Sequence, residues 1–267
     1  MSTTGTRCKI CGAASEVLTK ATVLKKHSVT YFACPRCEFI QTEEPFWLAE
    51  SYASAINSSD VGYVRRNLDL SRVTFSMVVA LFRTATKFLD YGAGYGLFVR
   101  LMRDKGLDWY WQDEYCQNLF AQGAELGSGT ERRFDLLTSF EVFEHLVDPM
   151  KEIEKMLKFA PAIVFSTLLL PRPKILPSEW WYYSLHHGQH IAFYSRKTLE
   201  VIAQEFGLSL CSKGSSFHVL SRTKISYPLF RIFTNRKVAA LVNLLSQRAS
   251  LSDQDRERIV EGLSKQV

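Results

Sequence analysis

Asp90-Tyr-Gly-Ala-Gly-Tyr-Gly96 closes an apolar run, Phe88-Leu89, and opens onto Leu97–Lys105, where apolar side chains recur at helical spacing. An acid followed by glycines at 92, 94 and 96 describes a strand, a tight turn and a helix. That geometry lets backbone amides approach a nucleotide-like ligand closely. A dinucleotide fingerprint would place its third glycine at position 97, where this chain has Leu97. On the residues alone, the turn also suits a flavin site or a plain strand-to-helix connection.

Three further groups carry chemistry. Gln112-Asp113-Glu114 ends the next apolar segment, and Asp113 lies 17 residues after Gly96. An acid there can accept both hydroxyls of a ribose. Asp113 is the candidate, Glu114 lies one register away, and a solvated turn is the alternative. Next, Phe134–Phe140 reads as a buried strand running into Glu141, then Glu144-His145, then Asp148-Pro149. Last, Trp180–Ser195 gathers His186, His187 and His190 among six aromatic residues. Histidine titrates near neutrality and can take a hydroxyl proton, while aromatic faces suit sugars or a cation. The competing reading makes these rings a packed wall around hydrogen-bonded histidines, and it is preferred for His186 and His187.

Cys8-Lys-Ile-Cys11 and Cys34-Pro-Arg-Cys37 form two C-x-x-C knuckles with 22 residues between them. Two residues between thiolates let both sulfurs face one tetrahedral ion, and two such turns complete a four-cysteine zinc site. Four thiolates leave no open position, so such an ion folds the module rather than catalysing. A disulfide pair is the competing arrangement, though a cytosolic chain keeps thiols reduced; a redox C-x-x-C needs only one pair. Cys116 and Cys211 lie apart and read as ordinary thiols.

The Asp90–Gly96 turn and Glu141-Val-Phe-Glu-His-Leu-Val-Asp-Pro149, about 50 residues apart, together resemble the motifs of class I S-adenosylmethionine-dependent methyltransferases. The resemblance covers roughly Lys87 to Arg222. It implies a Rossmann-like, doubly wound, seven-stranded α/β sheet. It also implies cofactor contacts from Asp90, Gly92, Gly94, Gly96, Asp113, Phe140 and Glu141. His190 matches the place of a histidine that faces the acceptor, with His145 and Glu144 as catalytic partners or as groups that orient its loop. A zinc module ahead of the fold, with Gly188-Gln-His-Ile-Ala-Phe-Tyr-Ser195, looks similar to bacterial methyltransferases of deoxysugars and surface-glycan precursors. That implies a small acceptor, a sugar or glycan precursor. One departure stands out: Gly123–Arg133 is short for a complete strand-helix unit, so the third strand is abbreviated. The acid that holds the adenine amine is then not identifiable, Glu125 being the nearest candidate.

These groups need elements to position them. Strands are expected at Val17–Leu24, Ser28–Ala33, Phe88–Tyr91, Trp109–Gln112, Phe134–Phe140, Ala162–Leu170, Leu208–Ser212 and Phe217–Arg222. Helices are expected at Leu97–Lys105, Tyr115–Gln122, Pro149–Phe159 and Arg196–Phe206, with Asp148 and Ser195 as caps. Four parts follow: residues 1–46 as the zinc module, 47–86 as a helical connector broken near Asn57–Asp60, 87–225 as the methyltransferase domain, and 226–267 as a tail of two helices. Tyr52, Asp60, Tyr63 and Arg66 in the connector suit either cofactor contact or a packed surface helix.

The 267 residues carry 46% hydrophobic and 22% charged side chains, ordinary for a globular protein. No apolar run has membrane-spanning length and the first residues are no signal peptide, so a cytoplasmic location is expected. The net charge of +6 is scattered without a basic run, which disfavours nucleic acid without excluding it. Two other functions remain open: an RNA methyltransferase that uses the zinc module for RNA, and a non-catalytic cofactor-binding assembly partner. Against the first, the chain lacks an N-P-P-Y tetrapeptide.

Overall fold

The computed structural model of the chain describes residues 6–52, 60–127 and 133–264. In chain order the first elements are β1 Glu16–Val23, β2 His27–Ala33, β3 Ile40–Thr42, α1 Leu48–Ser51 and α2 Tyr63–Leu81. Then come β4 Lys87–Tyr91, α3 Leu97–Arg103, β5 Asp108–Gln112, β6 Leu136–Phe140, α4 Pro149–Phe159 and β7 Ala162–Ser166. The remainder is β8 Ala192–Phe193, α5 Arg196–Glu205, β9 Ser209–Lys213, β10 Phe217–Ser221, α6 Tyr227–Phe233, α7 Arg236–Leu245 and α8 Ser252–Ser264. The chain forms two compact units. The glycine-loop unit holds Ser58–Ser139, Lys158–Val164 and Thr223–Val267; the cysteine unit holds Met1–Asn57, Phe140–Leu157 and Phe165–Arg222.

In the glycine-loop unit β4 pairs in parallel with both β5 and β6, so Phe88 lies opposite Trp109 on one side and Leu136 on the other. β7 follows β6 in strand order. These strands are apolar without alternation because both faces are covered: Phe88, Leu89, Trp109, Leu136 and Leu137 are all fully buried. Phe88 stacks on Trp109 at 4.3 Å between ring centroids. In the cysteine unit β10 pairs antiparallel to β9.

The glycine-loop unit holds strands in the order β5-β4-β6-β7 and the cysteine unit the antiparallel pair β10-β9, a mixed α/β set of six among the described residues where seven were expected. The missing strand is reduced to one parallel bridge between Trp111 and Glu125, with Trp111 N–H donating to Ala124 O and Leu126 N–H to Trp111 O. Residues 128–132 of that short segment lie outside the described residues, as does most of the expected break at Asn57–Asp60.

The cysteine unit also carries a four-stranded antiparallel sheet, β1-β2-β3-β8. Its first two strands match the expected ribbon; its fourth comes from Ala192–Phe193, directly after the histidine loop. Both helix starts read from the sequence are formed. Asp148 caps α4 through Oδ1, which accepts from Lys151 N–H. Ser195 caps α5 in a reciprocal box with Thr198. The helix expected over Tyr115–Gln122 is absent. There Asp113 Oδ1 accepts from the amides of Tyr115 and Cys116, and Asn118 bonds Ala121, so side chains take the amides a helix would have used. The tail holds three helices rather than two, because Asn235 caps α7 and splits the first of them.

Candidate functional site

The glycine-loop unit brings Asp90, Gly92, Gly94, Gly96 and Asp113 to one end of β4 and β5. β4 ends at Tyr91, and the amides of Gly92 and Ala93 both donate to Gln112 O at the end of β5. Gly94, at φ +56°, donates its amide to Asp113 Oδ2 at 2.8 Å, and its carbonyl accepts the Trp111 indole N–H at 2.8 Å. Gly96 starts α3 at φ +85°, and a Cβ there would stand 2.7 Å from Asn118 Oδ1. Only glycine fits that position. Three positions of the turn thus carry no side chain, and one acidic side chain braces it.

Asp90 is buried, and its Oδ1 accepts the Thr138 hydroxyl at 2.6 Å. Thr138 Oγ1 in turn accepts the Trp109 indole N–H. Loss of water pushes the Asp90 carboxyl up to about 8, and the nearby charge of Asp113 adds to the rise, while the Thr138 donor opposes it. Tyr63 comes close to the same turn: its hydroxyl lies 3.5 Å from where a Gly94 side chain would begin. Its partners Asp60 and Arg66 form an ion pair at 2.6 Å in the connector. Glu125 is exposed and accepts from the Asn118 amide. Glu114 is exposed as well.

The other predicted residues lie in the cysteine unit. Phe140 stacks on Phe217 at 6.2 Å. Glu141, at φ +56°, donates its amide to Ser166 Oγ, and its carboxylate accepts that hydroxyl in return. A left-handed glutamate at a strand end is strain held in place by its surroundings, a feature of functional loops.

Glu144 and His145 follow in a single 3-10 turn, Phe143–His145, anchored by Phe143 stacked on Phe165 at 3.9 Å. Glu144 is fully buried; its Oε1 accepts the Tyr182 hydroxyl at 2.7 Å. Burial, then the charge of Glu141, pushes this carboxyl up to about 8. His145 and His190 meet edge to face at 5.0 Å. His145 Nδ1 lies 3.1 Å from Gln189 O and 3.0 Å from the Tyr52 hydroxyl; His190 Nδ1 lies 2.6 Å from Tyr182 O. Burial lowers His145 to about 4 and His190 to about 3, so both rings are neutral at pH 7. His187 packs against His190 at 5.1 Å, and His186 is exposed.

The four knuckle cysteines also converge. Their sulfurs lie within 4.8 Å of one another, with Cys8–Cys37 and Cys11–Cys34 each at 3.5 Å. Tetrahedral ligands at about 2.3 Å from zinc would stand about 3.8 Å apart, so the donor set fits that ion. Backbone amides face the sulfurs, Ile10 N–H donating to Cys8 Sγ at 3.4 Å. The Cys37 thiol bonded to Cys8 holds Cys8 down at about 5, and the same contact pushes Cys37 up.

The sequence named the acids and glycines but not the side chains that hold them. Trp111 and Thr138 fall within expected strands and Tyr182 among six aromatic residues, and no spacing marks them as braces. Among the described residues no helix is long and apolar enough to cross a membrane.

A family model described as "Methyltransferase domain" matches residues 64–213. No curated protein sequence matches the chain. Among solved structures, the mitomycin 7-O-methyltransferase MmcR is similar at 15% identity and a TM-score of 0.46, over 67% of this chain and 60% of its own. An O-methyltransferase family protein from Burkholderia thailandensis gives 10% identity and a TM-score of 0.49, over 68% of this chain and 64% of its own. Magnesium protoporphyrin IX methyltransferase from Synechocystis PCC 6803, solved with bound SAH, gives 13% and 0.41, over 67% and 95%. The similarity therefore spans less than two thirds of the length of the first two proteins.

Proposed function

The chain belongs to the methyltransferase-domain family, and from that premise we propose that it transfers a methyl group from S-adenosylmethionine to a small acceptor, a sugar or glycan precursor. The observation that carries the reading is the turn with glycines at 92, 94 and 96, its Gly94 amide tied to Asp113. Three positions without side chains let the methionine portion of the cofactor approach the backbone. Asp113 Oδ2, which takes only the Gly94 amide, keeps a second lone pair for a ribose hydroxyl. Asp90 lies beneath the turn, where a cofactor ammonium would favour its ionised form, and Tyr63 closes one side. Phe140 and Glu141 are assigned to the cofactor as well. When bound, the sulfonium supplies an activated methyl group.

On the acceptor side, His190, His145 and Glu144 form the catalytic set, with neutral imidazoles whose second nitrogens can accept a hydroxyl proton. A sugar acceptor is supported by Trp181, 75% exposed beside Tyr182, which offers a flat apolar face next to this polar cluster. Cys8, Cys11, Cys34 and Cys37 hold a structural zinc. Residues 1–46 then serve as metal module, 47–86 as connector, 87–225 as transferase domain and 226–267 as tail.

Transfer of tritiated methyl groups from S-adenosylmethionine to a panel of nucleotide-sugars, with total RNA as a parallel acceptor, tests the reading. Label in a sugar supports it. Label confined to RNA, retained through a salt-sensitive complex, overturns the acceptor assignment. No cofactor binding by calorimetry overturns the whole proposal.

A further inference from the structure

Glu144, His145 and His190 can each bring one ligand atom within 4.8 Å of the other two. The cluster carries an unmet need. Glu144 is fully buried, Oε1 is satisfied by Tyr182, and Oε2 has no hydrogen-bond partner among the described residues. An unpartnered buried carboxylate oxygen is costly, and burial beside a cation is one way nature satisfies it.

The histidines are set up to complement it. Tyr182 O is a carbonyl oxygen and can only accept, so the His190 proton sits on Nδ1 and its Nε2 keeps a lone pair, while His145 Nδ1 is shared by the Gln189 carbonyl and the Tyr52 hydroxyl. A ring fixed in this way, Nδ1–H on a backbone carbonyl and Nε2 bare, is the arrangement by which proteins aim imidazole at a metal. Tyr182 links two of the three groups, its hydroxyl holding Glu144 and its carbonyl holding His190. Both rings are half-buried, which leaves a way in from solvent.

We propose that Glu144, His145 and His190 form a second metal site, distinct from the four cysteines, that takes a divalent transition-metal cation through two imidazole nitrogens and one carboxylate oxygen. Three protein ligands leave open coordination positions, unlike the closed four-sulfur set. An open position suits an oxygen from a hydroxylated ligand. The site stands on its own geometry; it takes the same imidazole nitrogens that the proposed transfer uses as proton acceptors, so a bound cation and that base role exclude one another.

Cobalt(II) titration of the full chain, with the cysteines already filled by zinc, tests it. One equivalent should bind, with visible d–d bands and no sulfur-to-cobalt charge transfer. Glu144→Gln retains the hydrogen bond to Tyr182 but removes the anionic donor, and should weaken cobalt binding at least tenfold, as should His190→Gln. Zinc content and circular dichroism of both variants should match the parent, which separates a lost ligand from a lost fold. Absence of the bands, bands of thiolate type only, or unchanged binding by Glu144→Gln would overturn the site and leave the cluster a metal-free dyad. Cobalt bound without methyl transfer sinks the proposed function alone; transfer without cobalt binding sinks this site alone.

Discussion

The carboxylate of Asp113 reaches back 19 residues to hold the amide of Gly94 at 2.8 Å, while its other oxygen binds the amides of Tyr115 and Cys116. One side chain therefore fixes the cofactor turn and the start of the next loop together. Asp113→Ala should lose about 2 kcal/mol of stability and most of the affinity for S-adenosylmethionine. Urea unfolding and calorimetric titration read the two losses separately.

Gly94→Leu tests the turn itself. Its φ of +56° and the Tyr63 hydroxyl 3.5 Å away make a branched side chain both strained and obstructive. With the cofactor at a hundred times its Kd, the parent should gain about 2.7 kcal/mol, or a Tm rise of about 5–10 °C. The variant should show no rise, with its zinc content unchanged.

The buried Asp90 gives a pH signature. Its carboxyl titrates near 8 in the folded chain against about 4 when unfolded, so between those values the folded state binds the extra proton. Its contribution is full below about pH 4 and is lost as pH rises through 8. Asp90→Asn should remove that slope, so the stability difference between variant and parent should grow in the variant's favour from pH 5 to pH 8. A constant difference across this range, measured by denaturant unfolding, would refute the assignment.

Zinc analysis should find one equivalent bound by the four cysteines. Cys37→Ser should lose it, and a strong chelator should lower the Tm of the parent but not of the variant. Full retention of metal by Cys37→Ser would point to a different donor set.

Asp255 in α8 ties the tail to the sheet unit through Arg103, a guanidinium with no exposed surface, at 2.6 and 2.8 Å. Asp108 also pairs with Arg103, but on one nitrogen. Removing Asp255 leaves the buried guanidinium with Asp108 on one nitrogen only, so Asp255→Ala should cost about 3 kcal/mol. Thermal unfolding of the variant checks this.

What could be read from the chain followed from local rules. The Asp90–Gly96 turn, the Asp148-Pro149 helix start and the Ser195 cap each depend on a few adjacent residues, and all three are formed. The helix expected at Tyr115–Gln122 failed because Asp113 and Asn118 spend their side chains on nearby amides, an outcome that apolar spacing does not register. The two-residue strand at Ala192–Phe193 is too short to show a period, and its pairing is set by a partner far away in sequence. The same holds for the site. Glu144, His145 and His190 were visible as residue types, whereas Tyr182, which holds two of them, was visible only as one aromatic among six.

The pairing of Ile40 with Phe193 has a consequence for how the chain is made. β1 to β3 leave the ribosome well before the fourth strand of their sheet is made. Thr198, whose hydroxyl bonds Cys37 O at 2.8 Å, follows that cysteine by 161 residues. At ordinary synthesis rates that is a wait of roughly 10–30 s. Throughout it β3 presents an open edge, the kind of surface that recruits wrong partners. Early capture of metal by the knuckles would hold the three-stranded remnant in shape until its last strand arrives.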